Sequence, residues 1–199
     1  MKIIDFVFPK KCLECKRIGK YICSECLKKV RPGGHSMNNY SVFKHEGVIK
    51  RAILELKYNF SFDLSTELAD LVYRKVKNYY VFKNKNTVLV PVPLSKYREQ
   101  WRGFNQTEVV GEKLAKLLNW KYDANLVVKT RETKSQVEVS FIERKTNLNN
   151  VFSLNKNTLG KLMENSVVVF DDVLTTGATL EEIKKMFKVP QVYGLTISS

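Results

Sequence analysis

Near the C-terminus four apolar residues, Val167-Val168-Val169-Phe170, run into two consecutive acids, Asp171-Asp172, and then into Thr175-Thr176-Gly177-Ala178-Thr179. No other stretch restricts the fold as much. A run of β-branched residues closed by turn formers reads as a strand buried on both faces, and such strands belong to parallel sheets covered by helices. The acids then fall at the strand's carboxyl end, where ligands bind in open α/β sheets. Gly177 lets backbone N–H groups approach an anion, the start of the following helix adds its dipole, and Thr175, Thr176 and Thr179 supply hydroxyl donors. Together these features outline a site for a monophosphate. The chain lacks the Gly-Lys-Ser/Thr of a nucleoside triphosphate loop here, so a different phosphate ligand is expected. The plain structural alternative is that Asp171 and Asp172 cap the turn.

The rest of the chain supplies partners for this strand. Ile49, Ile53, Leu54 and Leu56 recur at helical spacing after Gly47, and Leu64, Leu68, Leu71, Val72 and Val76 form a second amphipathic series. Residues 87–93, Thr-Val-Leu-Val-Pro-Val-Pro, read as a second buried strand. An exposed loop is expected over 95–103, then a helix over 105–118 whose Val109, Val110, Leu114, Leu117 and Leu118 face the core. A short strand at 126–128, a loop with some helix over 131–150, the strand at 166–171, a helix over 179–187 and a last strand over 191–197 complete the reading. Strands alternating with helices predict an α/β fold with a mostly parallel sheet flanked by helices.

All four cysteines lie near the N-terminus, as Cys12-x2-Cys15 and Cys23-x2-Cys26. Two such knuckles present thiolates at the reach that tetrahedral zinc requires, although the loop from Lys16 to Ile22 is shorter than the common spacing. Four thiolates leave no open coordination position, so the Zn2+ is expected to be structural. Lys10, Lys11, Lys16, Arg17 and Lys20 offset the charge of such a site or touch phosphates. Arg31-Pro32-Gly33-Gly34 breaks the chain and gives a division into a zinc-finger module over 1–34 and an α/β domain over 35–199.

The first residues lack the apolar core of a signal peptide, and no apolar run reaches membrane-spanning length, so a cytoplasmic protein without a membrane span is expected. The net charge of +14 favours polyanions. A Lys- and Asn-rich composition arising from the base composition of the source genome explains the charge equally well.

The acids and the Thr-Thr-Gly-x-Thr turn resemble the phosphoribosyl pyrophosphate (PRPP) motif of type I phosphoribosyltransferases. Val90-Pro91-Val92-Pro93-Leu94, Arg98, Arg102-Gly103-Phe104-Asn105-Gln106, Leu56-Lys57-Tyr58 and the spaced Gln136, Glu143-Arg144, Asn147 and Phe152 resemble the ComF family, whose members carry an N-terminal zinc finger. The resemblance implies a type I phosphoribosyltransferase fold with a small N-terminal zinc-binding module. It implies that Thr175, Thr176, Gly177, Ala178 and Thr179 cradle the 5-phosphate of PRPP while Asp171 and Asp172 contact the ribose hydroxyls. Carboxylates there also stabilise the positive charge that builds on the sugar as pyrophosphate leaves. Pro93, Leu94 and Ser95 follow a buried strand and are placed to receive the pyrophosphate, with Lys57, Arg98 and Arg102 as charge partners; a solvated basic loop is the alternative. Phe104 either stacks on a base or packs, and His35 and His45 fall outside every motif.

The function that the resemblance implies is a PRPP-binding protein of natural competence that handles incoming single-stranded DNA, together with competence-machinery proteins. As a transferase it would use Mg2+ with PRPP, and no residue identifies the acceptor. Two alternatives stay open: a DNA- or partner-binding module with a sensing, non-catalytic PRPP pocket, and a nucleobase salvage phosphoribosyltransferase.

Overall fold

The valine-rich run occupies the interior of a six-stranded sheet. The computed structural model describes residues 9–36, 38–59, 61–130, 151–155 and 166–199. In chain order the sheet is built from β1 (His35–Ser36), β2 (Asn39–Phe43), β3 (Thr87–Pro91) and β4 (Lys121–Tyr122), with β5 (Val127–Lys129) and β6 (Phe152–Leu154) forming a separate antiparallel pair. β7 (Ser166–Val173) and β8 (Val192–Ser198) complete it, in the spatial order β1-β2-β8-β7-β3-β4. Every neighbouring pair in the large sheet is parallel except β1 with β2. β7 sets Val168 against Leu89 of β3 and Phe170 against Leu195 of β8.

Because side chains alternate along a strand, β7 feeds two cores. Val168 and Phe170 pack with α2 (Gly47–Asn59), α3 (Phe62–Val76) and α5 (Gln106–Leu118), through residues such as Ile49, Ile53, Leu64, Leu68 and Leu114. Val167 and Val169 pack on the other face with Leu180 and Ile183 of α6 (Ala178–Lys184), and with Leu126, Val127 and Phe152. Close approach of α5 to the sheet depends on Gly111. A β-carbon there would stand 3.0 Å from Leu89 and 3.2 Å from Phe170, tighter than ordinary packing.

The sheet, its parallel sense and the flanking helices agree with the sequence reading, and β7 runs two residues beyond the expected 166–171. Residues 95–103 correct it. They form a helix, α4 (Lys96–Arg102), with the Ser95 hydroxyl accepting from the Arg98 N–H at 3.3 Å and Gly103 ending it in the left-handed conformation. β2 was not foreseen. The expected feature over 131–150 lies outside the described residues.

The N-terminal residues are tied to the same core. Cys12, Ile22, Cys26 and Val30 belong to the cluster that holds α2 and α3, and α1 (Ser24–Lys28) packs on α2. Residues 31–34 run beside β2, where the Gly33 N–H donates to Val42 O at 3.0 Å and the Ser41 N–H to Gly34 O at 2.8 Å. Among the described residues no helix is long and apolar enough to cross a membrane.

Candidate functional site

At the C-terminal end of β7 the two acids point to opposite faces of the sheet, since they are adjacent in a strand. Asp172 continues the face of Val168 and Phe170, toward α2 and α5. It is 7% exposed, and its Oδ2 receives both Lys57 Nζ at 2.9 Å and Gln106 Nε2 at 2.8 Å. Asp171 continues the other face, and its Oδ1 accepts the Asp172 N–H at 2.8 Å. Burial, and then the neighbouring Asp172 charge, push the Asp171 carboxyl up to about 8.

Past the strand, the Leu174 N–H donates to Ser198 O at 2.7 Å and closes the ladder. The chain then turns through Thr175, Thr176 and Gly177. Gly177 has φ +76°, a left-handed conformation that costs a residue without a side chain nothing, and it opens α6. The Thr176 hydroxyl accepts the Ala178 N–H at 3.3 Å, which shapes the turn from within.

The facing wall comes from the end of β3. Val92 extends the pairing by donating its N–H to Phe170 O at 2.8 Å, after which Pro93, Leu94 and Ser95 lead into α4. Asn105 Nδ2 donates to Val92 O at 3.1 Å while Asn105 Oδ1 caps α5 through the Thr107 N–H. That arrangement fixes Gln106 over Asp172. Arg102 Nη1 donates to Gln106 Oε1 at 2.9 Å, so the carboxylate, the amide and the guanidinium form one chain of hydrogen bonds. Arg102 Nε is buried without a partner among the described residues. Burial, together with repulsion from Arg98, holds the Arg102 guanidinium below its ordinary value.

These walls enclose a cleft of about 180 Å³. Asp171, Asp172, Thr175, Gly177 and Thr179 line it together with Pro93, Leu94, Ser95, Arg98, Arg102 and Lys57, which lies against Asp172. These sequence-selected residues are therefore brought together. Thr176 and Ala178 stand in the same turn. Gln106, Lys129 and Phe152 also line it. Gln106 and Phe152 stood in the motifs, but no role followed from them. Lys129 gave no signal, because a lone lysine ending a short strand matches no pattern. Gln136, Glu143, Arg144 and Asn147 lie outside the described residues. Phe104 is half-buried and packs against the main core. His45 meets the Ser198 hydroxyl at 2.9 Å, and burial, then the Lys57 and Lys50 charges, lower its pKa.

The sulfur atoms of Cys12, Cys15, Cys23 and Cys26 all lie within 4.8 Å of one another, with Cys15 and Cys23 3.7 Å apart. Tetrahedral Zn–S bonds of about 2.3 Å place thiolates roughly 3.8 Å apart, so the donor set fits a zinc ion. Glu67 of α3 accepts the Tyr21 N–H at 3.2 Å and the Ile22 N–H at 3.0 Å, anchoring the segment between the knuckles.

No protein-family model matches the chain. Competence protein F of Haemophilus influenzae is 31% identical over 189 residues, covering 87% of this chain and 77% of that protein. DNA utilization protein YhgH of Escherichia coli K12 is 31% identical over 170 residues, covering 82% and 70%. Competence protein ComFC of Bacillus subtilis is 28% identical over 172 residues, covering 80% and 62%. Among solved structures, an allosteric regulatory enzyme of purine biosynthesis aligns with a TM-score of 0.44 at 16% identity, over 72% of this chain. Glutamine PRPP amidotransferase from B. subtilis aligns with a TM-score of 0.41 at 14% identity. The chain spans 30% of the length of each of these two solved chains. The identity to Competence protein F, sustained over most of both sequences, shows that this chain belongs to the ComF family.

Proposed function

We propose that the cleft binds PRPP with Mg2+, and that the protein serves DNA uptake by handling incoming single-stranded DNA. One observation carries the ligand reading. Two carboxylates and a threonine-glycine turn line a single cleft together with Arg98, Arg102 and the Lys57 that pairs with Asp172. A ribose bearing a phosphate at one end and a pyrophosphate at the other calls for this distribution. Thr175, Thr176, Gly177, Ala178 and Thr179 would take the 5-phosphate, and Asp171 and Asp172 the ribose hydroxyls. The basic residues would take the pyrophosphate, and Arg102 Nε, without a partner among the described residues, is a donor for it. Mg2+ bound with PRPP would offset the charge of the pyrophosphate. The biological setting is supported by the relatives named for competence and DNA utilisation. The four cysteines would hold a structural Zn2+.

Calorimetric titration with Mg-PRPP tests the cleft. Wild type is expected to bind and the Asp171→Ala/Asp172→Ala variant is not; absence of binding by the wild type overturns the reading. Release of pyrophosphate across a panel of bases, nucleosides and oligonucleotides then separates a transferase from a sensing pocket.

A further inference from the structure

Helix α4 carries two stripes side by side. Tyr97 and Trp101, four residues apart, share one face and are 72% and 64% exposed. Arg98 and Arg102, each one position further along, share the next face and line the cleft. α4 buries none of its residues, so these aromatic rings are not there to complete a core. The aromatic surface continues onto α2. Tyr58, 58% exposed, meets Trp101 edge-on with ring centroids 5.9 Å apart and planes at 77°. The Arg102 guanidinium lies over the Tyr58 ring at 5.6 Å. A ledge of exposed rings bordered by guanidinium groups thus leads to the mouth of the cleft.

The ledge suits a ligand that is flat, anionic and extended. A free nucleobase offers no charge to Arg98 and Arg102, and one base covers less than this run of rings. A duplex keeps its base faces stacked inside. A single strand presents successive faces to aromatic side chains and phosphates to arginine. The net charge of +14 adds attraction of the right sign. We propose that Tyr58, Trp101 and Tyr97 form the surface on which a single-stranded nucleic acid stacks its bases, with its backbone directed to Arg98 and Arg102 at the cleft mouth. This inference rests on the DNA-handling part of the proposed function and gives it a location.

Fluorescence anisotropy of the zinc-loaded full chain, with a labelled oligothymidylate of about 20 nucleotides, tests it. Tyr97→Ala/Trp101→Ala should weaken binding by at least roughly tenfold and leave the salt slope unchanged, since bases and not phosphates lose contacts. Tyr97→Phe/Trp101→Phe should retain most of the affinity, and an abasic strand should bind wild type at least as weakly as the oligothymidylate binds the alanine variant, which keeps Tyr58. Trp120 is 7% exposed, so quenching of the intrinsic emission should report Trp101 and vanish in Trp101→Phe. Wild-type affinity in the alanine variant, or equal binding of the abasic strand, overturns the ledge. Calorimetry with Mg-PRPP on the same proteins separates the two readings. PRPP binding alongside unaltered DNA binding by the alanine variant removes the ledge alone. Loss of DNA binding without PRPP binding by the wild type removes the cleft reading alone.

Discussion

The Lys57 ammonium stands 2.9 Å from Asp172 Oδ2, joining the last turn of α2 to the C-terminal end of β7. The pair is largely withdrawn from solvent, and Gln106 shares the same carboxylate oxygen. Removing one charge of a buried pair strands the other, whereas removing both does not. Lys57→Met should therefore cost about 1–3 kcal/mol in urea denaturation, less than a fully buried pair because Lys57 keeps some solvent contact. Lys57→Met/Asp172→Asn should recover most of that loss. A double variant whose loss equals the sum of the losses in Lys57→Met and Asp172→Asn would show that the pair carries no coupling.

Asp171 gives the stability a pH dependence of definite sign. Its folded pKa is raised to about 8 by burial and then by Asp172. The folded state therefore holds this proton more tightly than the unfolded chain, where a carboxyl titrates near roughly 4. The resulting contribution is fully present below about pH 4 and is lost as pH rises through about 8. Asp171→Asn keeps the shape and removes the titration, so its thermal midpoint should rise relative to wild type between about pH 5 and pH 8. A gap between the two proteins that stays constant with pH would refute the shift. His45 acts in the opposite direction. Its pKa is lowered, so its contribution is present above its unfolded value of about 6.5 and is lost as pH falls through the folded pKa.

Behind the threonine turn, Asn39 of β2 joins α6 to the sheet. Its Nδ2 donates to Glu181 Oε1 at 2.7 Å and its Oδ1 accepts from Lys184 Nζ at 2.9 Å, while Lys184 and Glu181 pair at 2.8 Å. Gly194 of β8 leaves the room that Asn39 occupies, because a β-carbon there would overlap the Asn39 amide. Gly194→Ala should displace Asn39 and destabilise the chain by about 2–4 kcal/mol, read from urea denaturation. Asn39→Ala should cost about 1–3 kcal/mol by removing two hydrogen bonds to the charged Glu181 and Lys184. If Gly194→Ala is neutral, the network does not depend on that space.

β7 and its acids were legible because a strand buried on both faces is written as a continuous apolar run, and β3 was legible for the same reason. The helices α2, α3 and α5 announced themselves through periodic Leu, Ile and Val. β2 was not legible. Two of its three buried positions are Asn39 and Ser41, polar groups whose burial depends on partners from distant parts of the chain. α4 was missed because it buries nothing, and its i, i+4 pairs Tyr97–Trp101 and Arg98–Arg102 are too few to set an apolar period. Its clearest marks are Ser95 at one end and Gly103 at the other, a capping pair that brackets the helix once both are read together. In the cleft, residue types and motifs selected both walls. The hold of Lys57 and Gln106 on Asp172 was not legible, since it is set by how α2 and α5 cross the sheet.

Metal removal tests how far the N-terminal knuckles support the rest of the chain. Cys12, Ile22, Cys26 and Val30 lie in one apolar cluster with Ile49, Leu64 and Leu68, and Glu67 holds the Tyr21 and Ile22 N–H groups. If zinc organises this segment, a chelator removes a ligand bound by the folded state alone and exposes part of the shared core. The thermal midpoint of the whole chain should fall, in one transition, and recover on addition of Zn2+. Cys15→Ser should behave as the chelated protein does, because Cys15 is exposed and contributes little packing of its own. Glu67→Ala should weaken the same coupling by about 1–3 kcal/mol, since two backbone donors lose their acceptor, whereas Glu67→Gln keeps an acceptor in place. Two separate transitions, with the upper one unmoved by chelation, would instead show that residues 1–34 and 35–199 fold independently, and the shared cluster would then contribute little.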